Sequence, residues 1–133
     1  MKIKCIYNTG QQLIDNEIEL PGIFKETIFG LLEIGKEYLV MGIIYGEGEV
    51  DYLIDDSGIV SACPYQLFQI LDNKLSSNWY FRTFSISDDI YPFQQALIGY
   101  HELCFNTNHY ENLVNMEDEA LRIYFRIKIE MEK

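Results

Sequence analysis

Basic residues are scarce in this sequence. Ten lysines and arginines stand against twenty-one aspartates and glutamates, a formal charge of -11. Nucleic acid is excluded as a natural partner, because binding phosphates takes basic stripes. An anionic membrane surface is excluded on the same ground. Long apolar runs are missing too. Leu39 to Tyr45 is interrupted by Gly42, and nothing approaches the roughly 18 apolar residues of a membrane span. Met1-Lys2-Ile3-Lys4-Cys5 lacks the apolar stretch of a signal peptide, so the expected location is the cytoplasm. Cysteine is limited to Cys5, Cys63 and Cys104, with no CxxC pair. An odd number at wide spacing predicts buried free thiols in a reducing compartment, and neither a zinc knuckle nor a redox motif.

The acidity that is present is unevenly placed. From Glu37 to Leu121, fourteen acids face two bases, Lys74 and Arg82, while the flanks together hold eight bases and seven acids. Such a middle segment would attract and steer a basic protein surface. Ten tyrosines and eight phenylalanines are also many for 133 residues. They suit either a small core or a protein interface, where tyrosine is favoured.

The chain reads as a single domain of 133 residues, α+β and mostly antiparallel β. Lys2–Tyr7 alternates as a first strand. Gln11–Leu20 is ambiguous, and Ile23–Leu32 is a short helix or an irregular lead-in. Lys36–Tyr45, Val50–Ile54 and Ile59–Ala62 are strands separated by the turns Gly46–Glu49 and Asp55–Gly58, a three-stranded meander. Pro64–Leu71 is a helical turn or extended link. Trp79–Phe84 is a strand expected to cross the core. A loop from Ser85 to Asp89 and Pro92 follow it, then an edge segment over Leu97–Leu103. Asn108 and Glu111 have the spacing of a capping box. Helical spacing continues to about Leu121, whereas Arg122–Met131 alternates like a strand, leaving helix and strand both open there. The architecture that fits best is a small, partly open SH3-like barrel with C-terminal helical decoration. Its core spans approximately 35–84 and its extension approximately 97–133. A flatter α+β sheet is the alternative.

Motifs for chemistry are few. His101, Cys104 and His109 are the one set with arithmetic room for a metal, and Cys104 the one thiol near a base; a small hydrolase using His101 and Cys104 is the remote enzymatic reading. The adjacent acids Asp55-Asp56 and Asp88-Asp89 would need a concave cleft to serve as an acid–base pair. No phosphate loop, GxSxG elbow or EF-hand pattern occurs. No catalytic residue, metal or cofactor is therefore expected. The expected interface is a strand face in the meander: Glu47, Glu49, Asp51, Asp55 and Asp56 with Tyr45 and Tyr52, facing a basic partner. By period two, Glu49, Asp51 and Asp55 share a face.

Gly35-Lys36-Glu37-Tyr38-Leu39-Val40-Met41-Gly42-Ile43, then Tyr52–Asp56, Pro64–Ile70, Leu75-Ser76 and Trp79, with an echo at Gly99–Glu102, resembles small SH3-like barrel immunity proteins of bacterial contact-dependent and polymorphic toxin systems. The resemblance covers roughly residues 35–84. It implies a non-enzymatic inhibitor that neutralises a cognate toxin, basic and of nuclease type in many such systems, by tight binding inside the producing cell. A generic adaptor or regulatory module is the competing expectation.

Overall fold

The structure, a computed structural model, describes residues 1–85, 88 and 94–133. The loop expected from Ser85 to Asp89 and the following Pro92 lie largely outside the described residues.

The meander forms as the sequence predicts, from β3 (Gly42–Gly46), β4 (Glu49–Asp56) and β5 (Ile59–Pro64). Its connections, Glu47-Gly48 and Ser57-Gly58, have φ of 54°, 79°, 51° and 84°. Positive φ at both loop positions is type I′ hairpin geometry, whose twist matches the flanking strands; glycine adopts it without a Cβ penalty.

The strand expected over Lys36–Tyr45 is two strands in two sheets. β2 (Glu37–Leu39) pairs with β1 (Lys2–Cys5), whereas β3 pairs with β4. The corner lies at Val40-Met41. The Val40 N–H donates to Met1 (3.0 Å) and the Met41 N–H to Leu53 (2.8 Å), one in each sheet. The corner residues Val40, Met41 and Gly42 are all buried, so the apolar run conceals the bend. A 3₁₀ turn at Tyr65–Leu67 then leads into β6 (Phe68–Asp72), which returns beside β1. The first sheet therefore has the order β2-β1-β6, with β1 at its centre although β1 lies outside the expected 35–84 core.

β7 (Tyr80–Thr83) and β8 (Ala96–Gly99) complete a second sheet of order β5-β4-β3-β8-β7. Two expectations reverse here. The Trp79–Phe84 strand lies at the sheet's edge and does not cross the core. The Leu97–Leu103 segment is an interior strand running into α2 (His101–Phe105). The cause is the pairing of Gly99 with Gly42. A Cβ at either position would strike Leu103 Cδ2, so the two bare positions let α2 settle directly on the sheet.

α1 (Gly10–Asp15) begins with a full capping box: Thr9 Oγ1 accepts from the Gln12 N–H, and Gln12 Oε1 from the Thr9 N–H, both at 3.2 Å. The box expected at Asn108 and Glu111 does not form; Asn108 precedes α3 (His109–Val114) without a side-chain cap. α4 (Asp118–Met131) settles the open segment as helix. Ala120 and Tyr124 are buried and Ile127 and Met131 half-buried, all at helical spacing, while Ile129 of the alternating set is 61% exposed.

Two antiparallel sheets and a helical layer thus enclose two cores in an α+β fold, and neither sheet closes on itself. Ile3, Cys5, Tyr38, Val40, Tyr52, Ile54, Leu67 and Phe68 fill the space between the sheets. Met41, Ile44, Leu53, Leu97, Leu103, Leu113 and Tyr124 fill the space under the helices. Among the described residues, no helix is long and apolar enough to cross a membrane.

Candidate protein-binding face

Directly opposed residues in an antiparallel pair point to the same side, so the register sorts the five-stranded sheet into two faces. One face carries Leu53, Asp51 and Glu49 of β4, Ile44 of β3, Leu97 of β8 and Arg82 of β7. The other carries the row Tyr52–Ile43–Ile98–Phe81 and the row Val50–Tyr45–Ala96–Thr83.

The acidic set does share a face, as period two requires. That face is the one the helices cover. Asp55 accepts from Tyr124 Oη at 2.9 Å and from Lys128 Nζ at 2.9 and 3.0 Å, and its side chain is 8% exposed. Asp56, pointing the other way, holds Lys36 Nζ at 2.7 Å and Tyr38 Oη at 2.9 Å. The Lys36 hydrogen bond is the main reason its carboxyl sits below the usual range. Tyr52 is a core residue. The expectation that Asp55, Asp56 and Tyr52 face a partner is thus corrected: bases from the flanks of the sequence have taken both acids, and the inter-sheet core has taken the tyrosine.

Asp51 is corrected as well. It is half-buried, its Oδ1 is buried with no hydrogen-bond partner among the described residues, and burial, assisted by the charge of Glu49, pushes its carboxyl up to about 6. Glu47 and Glu49 make no ion pair with the described residues; Glu47 is exposed at the turn.

The opposite face divides in two. Over β4 and β5 it packs against the three-stranded sheet, through Tyr52, Ile54 and Cys63. Over β3 that cover runs out: Ile43 still packs against the inter-sheet core, whereas Phe81 of β7 belongs to neither core. Phe81 is 63% exposed and Tyr45 42%, and Ile98 is half-buried and belongs to neither core. Ile43, Val50 and Ala96 are half-buried between them. The outcome is an apolar sheet face with Glu47 at its end. Of the residues expected at an interface, Tyr45 and Glu47 remain on it. Ile43, Ile98 and Phe81 escape a reading by acidic clusters; the alternation of Ile43 with Tyr45 and of Val50 with Tyr52 is the signal for that face.

The residues examined for chemistry are occupied elsewhere. Cys104 is buried, its thiol directed at the carbonyls of Tyr80, Gly99 and Leu97 (3.5, 3.6 and 3.8 Å), and burial raises it away from the thiolate form. His109 is buried in a 2.6 Å hydrogen bond between Nε2 and the Tyr100 hydroxyl, and burial pushes it down to about 4, so it stays neutral. His101 stands exposed against Tyr80 and Phe105. Cys5 and Cys63 are buried and unpaired, as Cys104 is. No protein-family model matches the chain, and no curated protein or solved structure matches it.

Proposed function

We propose that this chain is a non-enzymatic inhibitor, an immunity protein that neutralises a cognate basic bacterial toxin by tight binding in the cytoplasm, and that the partner seats on the Ile43–Ile98–Phe81 and Tyr45–Val50 face. The observation that carries the reading is that face itself, an uncovered apolar sheet surface among the described residues on a chain of charge -11. Apolar rows supply the burial that holds a partner, while unpaired acids such as Glu47 raise the rate of encounter with a basic surface. Contiguous exposed apolar patches of this kind mark interaction sites.

We propose further that the two sheets form a small, partly open SH3-like barrel, a reading that the strand course supports. One strand turns a corner between sheets at Val40-Met41, a tight meander follows, and a 3₁₀ turn returns the chain beside β1. Strands that switch sheets in this manner build the corners of small, orthogonally packed barrels.

The test is growth rescue. Products of neighbouring genes are expressed singly in a bacterial host, with and without this chain. The expected result is that one is toxic and that this chain restores growth, while Phe81→Lys and Tyr45→Lys, with unchanged circular dichroism, do not. Rescue that is indifferent to both substitutions would place the interface elsewhere. Binding to a non-toxic product, with no rescue in any pairing, would make the chain an adaptor.

A further inference from the structure

β7 ends the five-stranded sheet. It pairs with β8 on one side, and no described strand pairs with its other side. Such an edge offers a row of backbone donors and acceptors to any extended chain, and proteins usually blunt it with lysine, proline or a bulge. Tyr80-Phe81-Arg82-Thr83 contains neither lysine nor proline, and its register with β8 is regular. Its one cation is turned inward. Arg82 Nη1 donates to the Cys104 carbonyl at 2.9 Å, and its guanidinium lies 4.6 Å from the Phe84 ring centre and 5.8 Å from that of Phe105.

Aromatic side chains flank this edge on both faces. Phe81 is on the uncovered face. On the helix-covered face Tyr80 stacks edge-on against Phe105 at 5.6 Å, and the two remain 48% and 45% exposed. A globular surface resting on one face could bury Phe81 or Tyr80, but not both. A strand laid along β7 buries both, because its side chains alternate between the faces.

We infer that the partner binds by adding a strand to β7, and that the strand is an extended basic segment of another protein. The inference rests on the reading of this chain as a binder of a basic protein and names its mode. Charge selects the occupant: a second copy would bring another -11 to the contact, whereas a lysine-bearing strand brings the complement.

The test uses the full chain, isotopically labelled, with a short peptide alternating lysine and valine as probe and one alternating glutamate and valine as control. Amide hydrogen exchange is followed by NMR. Protection is expected to rise about tenfold or more at those amides of Tyr80–Thr83 that point away from β8, with the lysine peptide alone. That protection should be lost in Phe81→Lys, and in Phe105→Lys, which leaves the strand sequence intact. The inference is overturned if β7 exchange is unchanged while Tyr45 and Val50 shift, a result that keeps the sheet-face reading. It is also overturned if the glutamate peptide protects equally, or if β7 becomes protected with rising protein concentration and no peptide. Protection at β7 in a chain that rescues no toxin upholds strand addition and removes the immunity reading.

Discussion

The two faces of the five-stranded sheet come from the same strands and differ in what distant segments do to them. Leu53, Ile44 and Leu97 are buried because α2, α3 and α4 arrive from residues 101–131 to cover them. Of their neighbours in sequence, Ile43 packs in part against the inter-sheet core, and Ile98 and Phe81 belong to neither core. Alternation therefore decides which residues share a face, and long-range packing decides which face is spare. The covered face holds Asp55 in an internal contact with α4, and the spare face keeps Tyr45 and Phe81 exposed.

The largest expected effect lies where α4 grips the covered face. Asp55→Ala would leave Lys128 and Tyr124 without their acceptor, and breaking a largely buried pair of this kind costs about 3 kcal/mol. Asp56→Ala removes a pair whose lysine is 42% exposed, so the loss there should be clearly smaller. Urea denaturation of the two variants compares them directly, and equal losses would break the asymmetry.

Next comes the seat of α2. Gly42→Ala drives a methyl group into Leu103, and overpacking of this sort costs about 2 kcal/mol. A thermal melt unchanged from wild type would show that Leu103 swings aside freely.

Asp51 gives a smaller effect of opposite sign. Its carboxyl is raised in the folded state to about 6, so the unfolded chain is the better acid. The associated stability is complete below the unfolded value near 3.8 and is lost as pH rises through about 6. Asp51→Asn should accordingly gain about 1–2 kcal/mol at pH 7 and nothing at pH 4. His109, lowered to about 4, works the other way: its contribution is complete above its unfolded value and fades as pH falls toward 4. With Asp51 replaced, acidification from pH 7 to pH 4 should destabilise the protein more steeply than wild type, and denaturation midpoints across that range will show whether it does.

The least effect on stability belongs to the spare face. Tyr45→Lys and Phe81→Lys should change unfolding free energy by less than about 0.5 kcal/mol. A cooperative loss well beyond that in either variant would mean that the face is part of the core after all.

Much of the fold is legible in local chemistry. The two hairpins are written in Glu47-Gly48 and Ser57-Gly58, and the cap of α1 in Thr9-x-x-Gln12, a box that begins in the turn after β1 and straddles the start of the ambiguous Gln11–Leu20. The corner at Val40-Met41 is not legible, because an apolar run that is buried where it bends gives no sign of which sheet each half joins. α4 is hidden by Tyr124, which alternation sorts with the polar residues and the structure buries completely. The candidate site was half visible. Tyr45 and Glu47 stand out by their chemistry and lie exposed at the spare face and its turn, but Asp55 and Asp56 read as free charge because Lys128 and Lys36 lie outside the acidic segment. Sequence-local charge is a poor measure of surface charge when the neutralising partner is many residues away.

The adjacent carboxylates of Asp55 and Asp56 also differ in when they can be satisfied. Asp56 finds its lysine 20 residues earlier in the chain, whereas Asp55 waits for one 73 residues later. On the ribosome, the β4–β5 hairpin emerges with Lys36 already made and available to Asp56. Asp55 stays hydrated until α4 has cleared the exit tunnel. The meander and the three-stranded sheet can thus gather early, and the helical layer locks onto them in a separate, later event. Nascent chains stalled so that residues up to 117 have left the tunnel and α4 has not should accordingly protect Tyr38 and Tyr52 from chemical labelling while leaving Leu53 and Leu97 accessible to a hydrophobic dye, and a chain that hides neither pair until α4 is complete would show that the two layers fold as one.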